Sequence, residues 1–190
     1  MLEQARPKVK PYVDRAARLF IKVPPNWLSA LGPVVAGVYF IFMVNGWYWA
    51  ALVAMAGMTL DSLDGAVARL TGKETKFGAF WDATLDRLAD MLLLAAFGAS
   101  GLVSWGWVVA GIGFSFLISY TRAKTGEVSQ GKVRLAVGVI ERGERLLLIG
   151  LMTLMVGLGW LMLAKITFGV LVGLSILTVG QRVAAAKKAL

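Results

Sequence analysis

The sequence contains no cysteine and no histidine. Without cysteine there is no disulfide framework, no thiolate zinc site and no thiol nucleophile. Without histidine the commonest general base and the commonest transition-metal ligand are both missing. Charge is scarce as well: 16% of the 190 residues are charged, against about 25% in an ordinary soluble domain. Whatever chemistry the chain performs must use Asp, Glu, Lys, Arg and hydroxyl groups, with any metal held by oxygen. Internal repeats and low-complexity segments are also lacking.

What is present is apolar. Hydrophobic residues make up 58% of the chain, more than a water-soluble domain of this length can hide. A spanning helix needs about 20 mostly apolar residues. Stretches near 26–45, 47–71, 77–99, 103–124, 138–157 and 160–183 meet that need, and Pro24-Pro25-Asn26 opens the first as a helix start. The expected fold is therefore an all-α integral membrane protein, six transmembrane helices in a compact bundle. Residues 1–22 carry scattered charge and no apolar core region, so they do not read as a cleavable signal peptide. Tyr12, Val13, Ala16, Leu19, Phe20 and Val23 recur at helical spacing against Asp14, Arg15, Arg18 and Lys22. They predict an N-terminal amphipathic helix, lying on the inner leaflet or packed on the protein. The domain organisation expected is this segment, residues 1–23, followed by one membrane domain over 24–190.

Basic residues set the expected orientation. Arg6, Lys8, Lys10, Arg15, Arg18 and Lys22 precede the first span, Lys73 and Lys76 follow the second, Lys132 and Arg134 follow the fourth, and Lys187 and Lys188 close the chain. The connections near Asn45, Ser100 and Gly159 hold no Lys or Arg. This alternation predicts both termini and the basic loops on the cytoplasmic side of the cell membrane. The net charge of +9 is then membrane topology rather than a nucleic-acid surface.

Carboxylates lie where they are expensive. Asp61 and Asp64 are three residues apart in the second span, and Asp82, Asp86 and Asp90 follow at intervals of four in the third. Each set shares a helical face. One charged side chain at mid-membrane depth costs roughly 2.5–3.5 kcal/mol, and several together repel until a proton or cation neutralises them. Arg69 and Arg87 are internal partners for some, but two arginines do not balance five aspartates. Hard oxygen ligands favour Mg²⁺, Mn²⁺ or Ca²⁺ as counter-ion.

The run from Asp61 to Asp86 reads Asp-x₂-Asp-Gly-x₂-Ala-Arg-x₈-Gly-x₃-Asp-x₃-Asp, through Asp61, Asp64, Gly65, Ala68, Arg69, Gly78, Asp82 and Asp86. This pattern resembles the CDP-alcohol phosphatidyltransferase family, and the six-span layout extends the resemblance over nearly the whole chain. The resemblance implies an enzyme that displaces CMP from a CDP-linked lipid with an alcohol. It further implies that Asp61, Asp64, Asp82 and Asp86 hold Mg²⁺ or Mn²⁺, and that Asp86 is the general base. Gly65, Ala68, Arg69, Thr75 and Gly78 would line the CDP pocket, joined by Asp61 and by Asn26, Trp27, Leu28 and Ser29 at the mouth of the first span. The chemistry of these residues agrees: glycine permits close backbone approach, arginine clamps phosphate in two-pronged fashion, and an Asp is the available base where histidine is missing.

A second, cationic set comprises Ser119-Tyr120-Thr121-Arg122-Ala123-Lys124, Glu141-Arg142-Gly143-Glu144-Arg145-Leu146 and Gln181-Arg182. All fall at expected cytoplasmic helix ends. They read either as interfacial snorkelling residues or as a site for an anionic acceptor. The pattern is similar to the branch that makes phosphatidylinositol phosphate and archaetidylinositol phosphate, with Arg122-Ala-Lys124 where that branch carries Lys-x-Arg. The resemblance implies inositol 1-phosphate as acceptor, its phosphate bound by Arg122, Lys124, Arg142, Arg145 and Arg182, and a homodimer. Glycerol 3-phosphate is the alternative acceptor, and a divalent-cation transporter is the reading from a different class. The transporter explains the acidic face but neither the fixed Gly65, Ala68 and Arg69 nor the cations, which exclude rather than attract metal ions.

Gly32, Gly37, Gly57, Gly111, Gly113, Gly150, Gly157, Gly169 and Gly173 within the spans predict close helix approach. Tyr39, Phe40, Phe42, Trp47, Tyr48, Trp105, Trp107 and Trp160 predict an outer-leaflet aromatic belt. Trp81 is either a wall of the site or a packing residue.

Overall fold

A computed structural model describes residues 13–15, 17–58, 63–133 and 135–190. Regular structure among them is helical throughout. Of the expected helix from Tyr12 to Val23, residues 13–15 and 17 are helical, Arg18–Phe20 form a 3-10 turn and residues 21–23 are turn and bend; residues 1–12 and Ala16 lie outside the described residues. Then come α1 (Pro25–Val44), α2 (Tyr48–Gly57), α3 (Asp64–Thr71), α4 (Lys76–Ala99), α5 (Trp105–Val128), α6 (Arg142–Gly157) and α7 (Leu161–Ala189).

Two expected boundaries move. The stretch 47–71, read as one span, is described as two helices, since α2 ends at Gly57 and α3 begins at Asp64. Gly57, at the end of α2, and Asp64 and Gly65, at the start of α3, are weak helix formers; residues 59–62 lie outside the described residues. The expected fifth span, α6, begins at Arg142 rather than near 138. Glu141 is its N-cap, and Glu141 and Glu144 form a reciprocal capping box in which the Glu141 amide donates to Glu144 Oε2 at 3.1 Å. The apolar residues before it, Val137 to Ile140, are not helical.

Among the described residues α1 and α7 are long and apolar enough to cross a bilayer, and α2 is a shorter apolar helix. Helices α4 and α5, at 24 residues each, are about 36 Å long and exceed a hydrocarbon core of about 30 Å, but both carry charge. Large apolar side chains are exposed on most helices, Val53 at 75% and Met162 at 72% among them. Such surface suits lipid rather than water.

The chain divides into two compact units, residues 1–96 and 97–190. In the first, Pro25 at the first turn starts α1, and Gly46 in the left-handed region (φ +74°) turns the chain into α2. Helix α3 also packs on α1. Ala17, Leu28, Ala66 and Val67 form the buried cluster there, flanked by Val13, Phe20 and Val23. Gly72 (φ +64°) closes α3, with the Lys73 amide donating to Ala68 O at 2.9 Å. Three residues later Thr75 opens α4, its Oγ1 accepting from the Gly78 amide at 2.9 Å as an N-cap should.

In the second unit α7 packs against both α5 and α6. Phe97 and Phe168 meet edge to face at 5.7 Å, and a Cβ on Gly111 would lie 3.4 Å from the Phe168 ring, so here a glycine does allow close approach. Elsewhere that expectation changes: a Cβ on Gly37, Gly113, Gly169 or Gly173 would touch nothing within 4 Å. Buried Thr153 and Ser175 donate to the carbonyls four residues back, at 2.9 and 2.8 Å. Of the expected belt, Trp47, Trp105, Trp107 and Trp160 are exposed, whereas Tyr39 is fully buried in the first unit.

Candidate active site

The short α3–α4 connection builds the site in the first unit. Its two caps, Gly72 and Thr75, fix where α3 stops and α4 starts. A cleft of about 180 Å³ opens beside them, lined by Asn26 and Ser29 of α1, Asp64, Gly65 and Ala68 of α3, Lys73, Glu74 and Thr75 of the connection, and Gly78 and Asp82 of α4, with Pro25 and Ala79. The structure thus brings together six expected donor-pocket residues with two expected metal ligands.

The geometry around Asp64 is tight. One carboxylate oxygen accepts from the Ser29 hydroxyl and the other from the Gly65 amide. Asp64 is 9% exposed and Ser29 3%, so the carboxylate is held from two sides at the first residue of α3. Gly65 also sits beside Arg69, since a Cβ there would lie 3.4 Å from a guanidinium nitrogen. At Gly78 a Cβ would come within 3.1 Å of Thr75 Oγ1 and 3.4 Å of Asn26 Oδ1. Only glycine leaves that corner of the cleft open.

On α4 the spacing of four survives intact, so Asp82, Asp86 and Asp90 share one face. Asp82 lines the cleft; Asp86 does not, and its side chain is 15% exposed, with Oδ2 3.9 Å from Arg87 Nη1. Arg87 also donates to Ala83 O. Asp90 is buried at 9% exposure. Trp81 stacks on Phe77 at 6.0 Å.

Four described residues of the expected donor and metal site do not line the cleft: Trp27, 72% exposed; Leu28, turned into the apolar cluster with Ala66 and Val67; Arg69, beside Gly65; and Asp86. Asp61 lies outside the described residues. Lys73 and Glu74 line the cleft although the sequence singled out neither for the site. Their signal was position alone, between the two halves of the aspartate motif.

The oxygen-rich cleft fits a hard divalent cation. Among the described residues no three acidic side chains gather to hold an ion by themselves. Magnesium-type ions, however, are held by one or two carboxylates and completed by substrate phosphates. Asp64 and Asp82 line one cleft and are carboxylates that could hold such an ion.

In the second unit the cationic residues differ in their surroundings. Arg122 and Lys124 are exposed near the end of α5, Lys124 in a 2.8 Å ion pair with Glu127. Arg142 is half-buried at the first position of α6, and Arg145 is 3% exposed one turn on. Arg182, in the last third of α7, is 2% exposed. Its guanidinium donates to Val137 O at 2.9 Å, to Ile118 O, and to Glu141 Oε1 at 3.1 Å. The sequence did not anticipate these partners, nor Thr178, whose Oγ1 accepts from the amides of Val139 and Ile140 at 3.2 and 3.1 Å.

Comparison with known proteins agrees with the motif. The family model described as CDP-alcohol phosphatidyltransferase matches residues 22–181. The chain is 35% identical to an archaetidylinositol phosphate synthase of Pyrococcus horikoshii over 193 residues, covering 100% of this chain and 98% of that one. Its structure is similar to that of the Mycobacterium tuberculosis phosphatidylinositol phosphate synthase with CDP-DAG bound, at a TM-score of 0.76 and 26% identity, covering 92% of each chain. The same enzyme in complex with manganese and citrate superposes with a TM-score of 0.77 at 26% identity, covering 92% of this chain and 88% of that one.

Proposed function

The chain belongs to the CDP-alcohol phosphatidyltransferase family, and from that premise we propose that it transfers the phosphatidyl or archaetidyl group of a CDP-linked lipid to inositol 1-phosphate, releasing CMP. The observation that carries this reading is the cleft between α1, α3 and α4, where Asp64 and Asp82 stand beside Gly65, Ala68, Thr75 and Gly78.

The roles follow from the residues. Gly65 and Gly78 let the CDP moiety approach the backbone closely, and Arg69 is a two-pronged partner for a phosphate. A divalent cation, Mg²⁺ or Mn²⁺, held by Asp64 and Asp82 together with Asp61 and Asp86 would neutralise charge on the pyrophosphate and on the departing CMP. Asp86 takes the proton of the acceptor hydroxyl as its oxygen bonds to the lipid-bearing phosphorus, and the bond to CMP breaks. Arg122, Lys124, Arg142, Arg145 and Arg182 supply the charge that binds the acceptor's phosphate.

The same reading gives the chain six membrane spans, an N-terminal amphipathic segment and both termini on the cytoplasmic side of the cell membrane, assembled as a homodimer. The exposed apolar helix faces and the alternation of basic connections support the membrane arrangement. The test is an acceptor panel: purified protein with Mg²⁺ or Mn²⁺ and a CDP-lipid, supplied in turn with inositol 1-phosphate, glycerol 3-phosphate, serine and free inositol. CMP release with inositol 1-phosphate alone is the expected outcome. Release with glycerol 3-phosphate instead assigns the other acceptor, and no release with any alcohol refutes the reaction.

A further inference from the structure

The second unit carries nearly all its charge at one end. From Phe97 to Thr121 and from Leu146 to Gln181 the sequence holds a single charged side chain, Lys165. The carboxylates of the unit are Glu127, near the end of α5, and Glu141 and Glu144, at the start of α6. Glu141 is bonded to Arg182, which lies about 26 Å from Lys165 along the unbroken α7. Lys165 itself has no hydrogen bond or ion pair among the described residues. It lines a groove of about 820 Å³ formed by the α4–α5 connection, the first turn of α5 and the start of α7. Met162, Lys165, Ile166 and Gly169 recur there at helical spacing, so one face of α7 makes a wall. A Cβ on Gly169 would meet no atom within 4 Å, so this glycine widens the groove instead of bringing helices together. Across from α7 the groove is lined by Val103, Trp105 and Trp107, both indoles more than half exposed.

We propose that this groove binds an anionic phospholipid of the surrounding leaflet, with the lipid phosphate on the Lys165 ammonium and a hydrocarbon chain along Val103, Ile166 and Gly169. The proposal rests on the reading that the chain spans a membrane. An ammonium among apolar residues needs a counter-anion, and this end of the unit has no carboxylate to offer. In a bilayer the anion within reach of a lysine near a helix end is lipid phosphate, the level to which such a side chain snorkels. Trp105 and Trp107 suit the same level, where indoles sit among headgroups. A second copy in the same membrane brings the same charge pattern to this depth and no carboxylate with it. Charge complementarity therefore selects the lipid over the second copy.

Native mass spectrometry of the full-length protein, released from detergent micelles, tests the site. Dioleoyl phosphatidylglycerol is titrated beside dioleoylglycerol, which has the same chains and no phosphate. The wild type should hold phosphatidylglycerol about tenfold more tightly than dioleoylglycerol, and Lys165→Gln should lose that factor, as for one charge-assisted hydrogen bond. Gly169→Leu, which fills the groove, should weaken the binding of both lipids. Equal phosphatidylglycerol affinity in the wild type and Lys165→Gln overturns the proposal, and so does equal affinity of the wild type for the two lipids. Loss of a dimer mass in Gly169→Leu with lipid adducts unchanged makes the groove a contact between copies and overturns it as well. Should Gly169→Leu fail to fold, Lys165→Gln decides by itself, because it replaces an exposed side chain. Alkaline carbonate extraction of membranes tests the underlying reading separately. Release of the wild type into the soluble fraction removes the membrane reading; retention without any effect of Lys165→Gln removes only the lipid site.

Discussion

Ser29 and Asp64, 35 residues apart, are joined by a buried hydrogen bond from the Ser29 hydroxyl to Asp64 Oδ2, which ties the second turn of α1 to the first residue of α3. The remaining oxygen of Asp64 takes the Gly65 amide. The carboxylate that begins the helix is thus aimed by a neighbour on another element before any substrate arrives, which is how outer partners orient ligands at metal sites.

Ser29→Ala removes that aim without touching the carboxylate. Losing such a partner costs on the order of 10–100-fold in metal affinity or activity. Turnover titrated against Mn²⁺ should therefore need roughly tenfold more metal for half-maximal activity, within that range. An unchanged titration would show that Asp64 does not depend on Ser29 for its geometry.

Gly78→Ala separates folding from function. Alanine is favoured over glycine inside a helix by up to about 1 kcal/mol, so thermal stability should hold or rise. The new Cβ would press on Thr75 Oγ1 at 3.1 Å and Asn26 Oδ1 at 3.4 Å and close a corner of the cleft. The KM for CDP-lipid should rise several-fold, with acceptor KM unaffected; steady-state kinetics beside a melting curve checks both halves.

How much of this could be seen beforehand depends on the distance over which each feature is decided. The ladder Asp82, Asp86 and Asp90 is a local register, and once α4 forms it shares a face whatever lies around it. The segment Gly138-Val139-Ile140 begins the expected span 138–157 because it is apolar. Apolarity reports burial and not conformation, and Ile140 is indeed buried, but in a non-helical segment whose amides Thr178 accepts. The charge of Arg182 is likewise visible in the sequence, whereas its partners Ile118 O and Val137 O are backbone atoms 64 and 45 residues away. Likewise the end of α2 at Gly57 and the start of α3 at Asp64 are hidden in an averaged hydropathy window, although Gly and Asp carry the signal individually.

Asp82→Asn and Asp86→Asn should fail differently. Asp82 lines the cleft, so its amide variant should lose metal-dependent binding of CDP-lipid along with turnover. Asp86 stands outside the lining, one turn along α4, and its variant should retain CDP-lipid binding while CMP release falls at least about 100-fold, the scale of a lost general base. Binding to immobilised protein, compared with nucleotide release, distinguishes them. Loss of binding in both would make Asp86 chiefly a metal ligand.

Gly138→Ala bears on the non-helical strap before α6, residues 137–141, without removing any charge. The residue has φ +147°, a backbone region that side chains rarely adopt, and its Cβ would meet Thr178 Cγ2 at 2.6 Å. Strain of this kind costs on the order of 1–3 kcal/mol, and moving the strap off α7 is the way to relieve it. That movement breaks the hydrogen bonds from the Val139 and Ile140 amides to Thr178 Oγ1 and draws Glu141 away from Arg182, with every charged group still present. The acceptor KM should rise while the donor KM and the metal titration stay as in the wild type, and pairing with Thr178→Ser, which deletes the methyl that clashes and keeps the hydroxyl that accepts, should restore part of the loss. Equal damage to both substrates would mean that the strap supports the fold generally and not the α6 turn in particular.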